Sequence, residues 1–220
     1  MKVNFAFITA LALTGFAFQA TAAEPMSFRL MPLERSNGCE RQCAQAIVAD
    51  GEIVNSTPQE FLAFVSSNLQ ANLSSVVLLN SPGGKVLASM ELGQAFRKRG
   101  MVTIVAGVQP SIPGAVAAAR CYSACVYALM GGRKRVIPPQ SEVGIHRMFQ
   151  YESALDPAAG IATLHRRYDT GTMRAILSRY SNRMGVNSGI IDYAERLSTD
   201  SIHVLSRKEI ARWGLGQSKL

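Results

Sequence analysis

Three features, well separated along the chain, have the residue types for one piece of chemistry. The run Val76 to Leu79 followed by Asn80-Ser81-Pro82-Gly83-Gly84 reads as a buried strand that ends in a sharp turn. Paired glycines there let backbone N–H groups approach a ligand with no side chain between. Some 40 residues later Ser123 heads a small and apolar run, Ala124 to Met130, of a length that suits a buried helix ending at Gly131-Gly132. His146 closes a short apolar strand a further 23 residues on, after the Pro138-Pro139 turn. Hydroxyl, imidazole and glycine turn are the parts of an acyl-transfer site: nucleophile, base and oxyanion donors. A serine at a helix start meets the positive helix end, and the next N–H, on Ala124, can face developing negative charge. The plainer readings are a serine that only caps its helix and a histidine that is a hydrogen-bonded structural residue. His165, beside Arg166-Arg167, and His203 have no comparable setting.

The elements needed to position these groups follow from the pattern around them. Ala46 to Ile53 reads as a strand and its turn, and Ser56-Thr57-Pro58 starts a helix continued by Phe61, Phe64, Val65 and Leu69. Val76 to Leu79 is the next strand, Gly84 to Arg99 the next helix, and Val102 to Ala106 a third strand. Alternating apolar strands and helices argue a parallel sheet with right-handed crossovers. Gly107 to Arg120 reads as a loop, Gln150 to Ile161 as a connection, and Thr163 to Met184 as one long helix. Ser188 to Leu197 and Ser206 to Trp213 are the closing helices.

The ordered set NSPGG, CYSAC (Cys121 to Cys125) and GGRKRVIPPQSEVGIH (ending at His146) resembles the proteolytic subunit ClpP of the ClpP/crotonase superfamily, in particular exported bacterial ClpP-like proteins. The likeness runs from about Ala46 to Leu215 and departs at Gly107 to Arg120, where ten or so extra residues intervene. It implies an α/β fold, a ClpP/crotonase-like spiral of mostly parallel strands with packed helices. It also implies Ser123 as nucleophile, His146 as base, the amides of Gly83 and Ala124 as oxyanion hole, and Gly84 against the substrate. A peptide or protein substrate and a homo-oligomer come with it, and no metal or nucleotide cofactor does. The family's orienting Asp falls on Ile202, which cannot serve, so Asp200, two residues earlier, is the expected carboxylate after a local shift. Asp169 and Asp192 are the other carboxylates of that region, and a serine–lysine dyad would need Lys85 or Lys134 nearby.

Composition bounds the rest. The 220 residues, 48% hydrophobic and 17% charged, suit one globular domain and argue against disorder. The net charge of +8 is scattered in short basic clusters without interleaved aromatics, which argues against nucleic-acid binding. Residues 1–23 read as a secretory signal peptide: Lys2, an uncharged apolar stretch Phe5 to Phe18, then small residues at a cleavage site. An uncleaved anchor is the competing reading. Residues 24–45 are then an N-terminal arm and 46–220 the α/β domain, periplasmic or secreted, with no membrane span left after cleavage. In that oxidising setting Cys39, Cys43, Cys121 and Cys125 are disulfide candidates; three pairings are open, and one joining the arm to Cys121 would pin it beside Ser123. Four thiolates on zinc are the alternative. The leading function is an exported serine peptidase or hydrolase. A catalytically silent binding scaffold of the same fold is the alternative, and an acyl-CoA enzyme is third.

Overall fold

Two central strands are buried on both faces, as their unbroken apolar runs require. These are β2 (Gln45–Asp50) and β3 (Leu73–Asn80), which bury Ile47, Val48 and Ala49 against Val77, Leu78 and Leu79. The computed structural model describes residues 23–33, 44–69, 72–109, 111–112, 114–156 and 161–219. β1 (Ser27–Pro32), β4 (Val102–Val105) and β8 (Lys134–Val136) complete a five-stranded sheet ordered β1-β2-β3-β4-β8. From β2 to β8 the pairing is parallel, whereas β1 runs antiparallel along β2. α1 (Thr57–Ser67) and α2 (Val86–Lys98) make the crossovers that parallel neighbours need, and their Phe61 and Phe96 rings meet edge to face at 4.9 Å.

A second sheet flanks Ser123 and His146. β7 (Arg120–Tyr122) runs parallel to β9 (Glu142–Ile145), and β12 (His203–Val204) lies antiparallel on the other side of β9. The helix α3 (Cys125–Met130) follows β7 directly and crosses α2 at Gly93 and Gly131. A Cβ on Gly131 would collide with the Gly93 carbonyl, so the two helices touch backbone to backbone.

Several sequence expectations change here. One spiral of mostly parallel strands is not what the described strands form: they fall into several small sheets, with antiparallel pairs at β1, β12 and two hairpins. The hairpins are β5 (Gly107–Val108) with β6 (Val116–Ala117), within the expected loop, and β10 (Phe149–Asp156) with β11 (Ile161–Tyr168). The long helix expected from Thr163 therefore begins as strand, as far as Tyr168, and α4 spans only Thr172–Arg183. Its start is fixed by Gly171 at φ +114° and by the Asp169 carboxylate, which accepts from the N–H groups of Gly171, Met173 and Arg174 at 2.8–3.0 Å. The expected arm contains β1.

α5 (Gly189–Ala194) and α6 (Arg207–Arg212) close the chain. α6 opens on a capping box: Ser206 Oγ accepts from the Glu209 N–H, and the Glu209 carboxylate accepts from the Ser206 N–H at 2.7 Å. His203 Nε2 lies 2.9 Å from the same carboxylate. Partial burial raises the Glu209 pKa, but the Ser206 hydroxyl and amide and His203 outweigh it and hold the group at about 2, against 4.5 ordinarily. A depressed carboxylate stabilises the fold fully above its unfolded pKa and loses that contribution as pH falls toward the folded one. Glu209→Gln is therefore expected to cost about 1 kcal/mol at pH 7. The gap from wild type in urea midpoint should shrink by pH 3; an equal gap at both pH values would refute the assignment.

Candidate active site

Ser123 sits where two strands and a helix converge. Tyr122 donates its N–H to the Ser81 carbonyl at 3.0 Å, and Ser81 its own to the Arg120 carbonyl at 2.8 Å, so the NSPGG turn and the serine motif are stitched together. Ser123 N–H donates to the Gly144 carbonyl at 2.8 Å, which fixes it to β9. Its φ of +53° makes it the one described non-glycine residue with positive φ. Such a conformation is held only where the surroundings over-determine it, and here it turns the chain sharply from β7 into α3.

Gly83, at φ +114°, packs directly against this turn: an added Cβ would lie 2.8 Å from Ser123 Cβ. Gly83→Ala is expected to fold with a loss of about 1–3 kcal/mol and to displace Ser123. The rate of covalent serine labelling should fall by about 10²-fold, a drop out of proportion to the change in urea midpoint. Labelling at the wild-type rate would contradict the tight packing.

His146, one residue past β9, places Nε2 at 2.7 Å from Ser123 Oγ. Its other nitrogen, Nδ1, is 2.7 Å from the backbone carbonyl of Arg147. A carbonyl can only accept, so Nδ1 carries the proton and Nε2 offers its lone pair to the serine hydroxyl. That is the tautomer a general base needs. The Arg147 side chain lies 4.4 Å over the Tyr168 ring and has its Nε 3.7 Å from Glu195. Burial raises the Glu195 pKa, with Arg147 opposing the shift.

The structure does not bring Asp200 to His146. Asp200 is exposed and paired with Arg166. The β9–β12 register sets Ile145 opposite His203, and the preceding Ile202, where the carboxylate was expected, places its apolar side chain against Gly144. Asp169 caps α4, and Asp192 pairs with Arg174. The Arg147 carbonyl orients the imidazole instead.

The two amides expected to face an oxyanion, those of Gly83 and Ala124, have different settings. The Gly83 N–H donates to Ser81 Oγ at 3.1 Å and is thereby occupied. Among the described residues the N–H groups of Gly84 and Ala124 have no hydrogen-bond partner, and both residues line the cleft that holds Ser123 and His146. Gly84, expected against the substrate, thus carries the free donor beside that of Ala124. The cleft encloses about 630 Å³ and is walled by Tyr127, Met130, Met173, Ile190 and Ile191. Lys85 is on its wall, but the hydrogen bond of Ser123 Oγ goes to His146; Lys134 lies on β8, outside the lining. Ser81 and the Arg147 carbonyl escaped the sequence reading. Ser81 was within the NSPGG signal, whereas a carbonyl has no side-chain signature.

Cys121 and Cys125 are joined in a disulfide, which excludes the bridge from the arm to Cys121 and removes both as zinc thiolates. Cys39 and Cys43 lie outside the described residues. Among the described residues no group of three or more His, Cys, Asp or Glu can hold a metal ion, and no helix is long and apolar enough to cross a membrane.

Solved structures similar to this chain include two of the 1510-N membrane-bound stomatin-specific protease. One is a serine-to-alanine mutant, 18% identical, with a TM-score of 0.53 over 77% of this chain and 75% of that one. The other is a lysine-to-alanine mutant in complex with a substrate peptide, 18% identical, with a TM-score of 0.51 over 77% and 71%. At that identity the likeness is one of fold. It corrects the expected resemblance: the fold found, with its several small sheets, is similar to that of a membrane-bound stomatin-specific protease and is not the single ClpP/crotonase spiral. No family model and no curated protein matches the chain.

Proposed function

We propose that the protein is a serine protease with Ser123 as nucleophile and His146 as general base. The observation that carries this reading is the 2.7 Å contact between Ser123 Oγ and the proton-free Nε2 of His146, made from a sharply turned serine. As Oγ bonds to a peptide carbonyl carbon, its proton passes to Nε2 and the carbonyl oxygen takes the negative charge. The Gly84 and Ala124 amides are free to receive that oxyanion. Collapse of the tetrahedral adduct breaks the C–N bond, His146 protonates the leaving amine, and water deprotonated by His146 releases the acyl group. The apolar-walled cleft supports a peptide substrate, as does the fold shared with a protease solved with a substrate peptide.

Export to an oxidising compartment belongs to the same proposal. The leader-like residues 1–23 and the Cys121–Cys125 disulfide support it, and cell fractionation tests it. The functional test is incubation of the oxidised protein with a fluorophosphonate, followed by peptide mapping. A single adduct on Ser123 is expected; no adduct on folded protein would sink the assignment. A peptide-binding scaffold is the second reading, favoured by the carbonyl that stands where an orienting carboxylate was expected. It predicts peptide binding by calorimetry with no turnover.

A further inference from the structure

The Cys121–Cys125 disulfide closes a ring of five residues with Ser123 at its centre. Its Cα atoms are 5.3 Å apart, and both cysteines are fully buried. One end is held by β7, through the register Cys121 opposite Val143 and the bridge of Ser81 to Cys121. The other end is the first residue of α3. Between them the backbone makes the strained turn at φ +53°. Closing so short a loop restricts the unfolded chain less than a long loop would, so the bridge acts chiefly on the native turn.

We propose that this disulfide is a positioning element for Ser123, and that the oxidised chain alone holds the nucleophile in reach of His146 and of the Gly84 and Ala124 amides. The proposal rests on the serine-protease reading above. Three constraints hold Ser123 in its unfavourable conformation: its N–H bond to Gly144, the packing of Gly83 and the covalent ring. The first two are non-covalent and give way when the turn relaxes. With the ring opened, Ser123 can leave the left-handed region and α3 can extend toward its N-terminus, which carries Oγ away from Nε2. The change is chemically reversible. An external dithiol passes two electrons and two protons to the bridge, leaving two cysteine thiols and a cyclic disulfide of the reagent.

The test uses the mature chain in a Cys39→Ser/Cys43→Ser background, so that Cys121 and Cys125 supply all the thiols. Fluorophosphonate labelling rate and peptide hydrolysis are followed in the oxidised protein, after reduction with dithiothreitol, and after reoxidation; a thiol count and near-ultraviolet circular dichroism accompany each state. The expected result is an oxidised form that labels, and a folded reduced form that labels about 10²-fold more slowly. KM should change little, and the rate should return on reoxidation. A Cys121→Ala/Cys125→Ala variant should match the reduced form and not recover. Equal labelling in both redox states overturns the positioning role and leaves the serine assignment standing. Loss of the folded spectrum on reduction, and in the double variant, makes the bridge a staple of the fold and overturns it also. No labelling in any state removes the serine reading, and the proposal with it.

Discussion

Ser123→Ala is expected to abolish fluorophosphonate labelling and to lower peptide hydrolysis by at least about 10³-fold, while leaving the urea midpoint close to wild type. The hydroxyl accounts for its own hydrogen bond to His146 and little else, so its loss leaves no buried group stranded in the turn. His146→Ala should cost nearly as much, because the nucleophile and its base act as one unit and removing either disables both. The two changes combined should therefore be little worse than either alone. Residual hydrolysis in Ser123→Ala belongs to the Gly84 and Ala124 amides, which still polarise a bound carbonyl. Additive losses would mean that Ser123 and His146 serve separate purposes. Near-wild-type hydrolysis in either variant would place the chemistry elsewhere.

What the sequence disclosed about this site, and what it withheld, has a physical pattern. Ser123, His146 and the glycine pair were legible because each is a residue type with a function, set at an element boundary marked by a change in apolar periodicity. The sequence does not tell which amide of the glycine pair is left without an acceptor. Which of two adjacent amides is free depends on where the Ser81 hydroxyl points, and that is settled by the folded turn. The orienting group was out of reach for a deeper reason: every residue carries a carbonyl, so nothing in the composition of Arg147 marks its own as the one against Nδ1.

The same holds for the fold. β2 and β3 announce themselves through apolar runs long enough to exclude a one-faced strand, but β7 and β8 have three residues each and β12 has two, too few for any period. Leu164 and Tyr168 are four apart and read as one face of a helix, yet they lie exposed on the same strand of a hairpin. No core demanded their periodicity. The Asp169-Thr170-Gly171 punctuation beside them was the better guide.

Arg135→Met is expected to destabilise the protein by about 3–5 kcal/mol, more than Gly83→Ala or Glu209→Gln. The β8 guanidinium gathers the carbonyls at the ends of three helices. It donates to Met130 and Gly132 at the end of α3, to Met184 and Gly185 beyond α4, and to Gly214 and Leu215 beyond α6, at 2.8–3.4 Å. The last carbonyls of a helix have no partner within it and carry the negative end of its dipole, so three such ends brought together need a cation with several donors. Burial lowers the Arg135 pKa, and the neighbouring Arg97, which also donates to Met130 and Met184, lowers it further. The group nevertheless stays charged, because an arginine cannot discharge in this range. Methionine keeps the apolar stem but strips the guanidinium donor from the Gly132, Gly185, Gly214 and Leu215 carbonyls and leaves Met130 and Met184 to Arg97 alone. Lysine restores the charge without the planar fork, and Arg135→Lys should recover less than half of the loss. Urea unfolding measures both, with Arg97→Met as the milder comparison, since Arg135 still serves the same carbonyls. A cost for Arg135→Met within about 0.5 kcal/mol of zero, as for an ordinary surface change, would show that solvent satisfies these helix ends. If the loss is large, the C-terminal end of α3 depends on it, and with it the seat of the helix whose first turn presents Ser123.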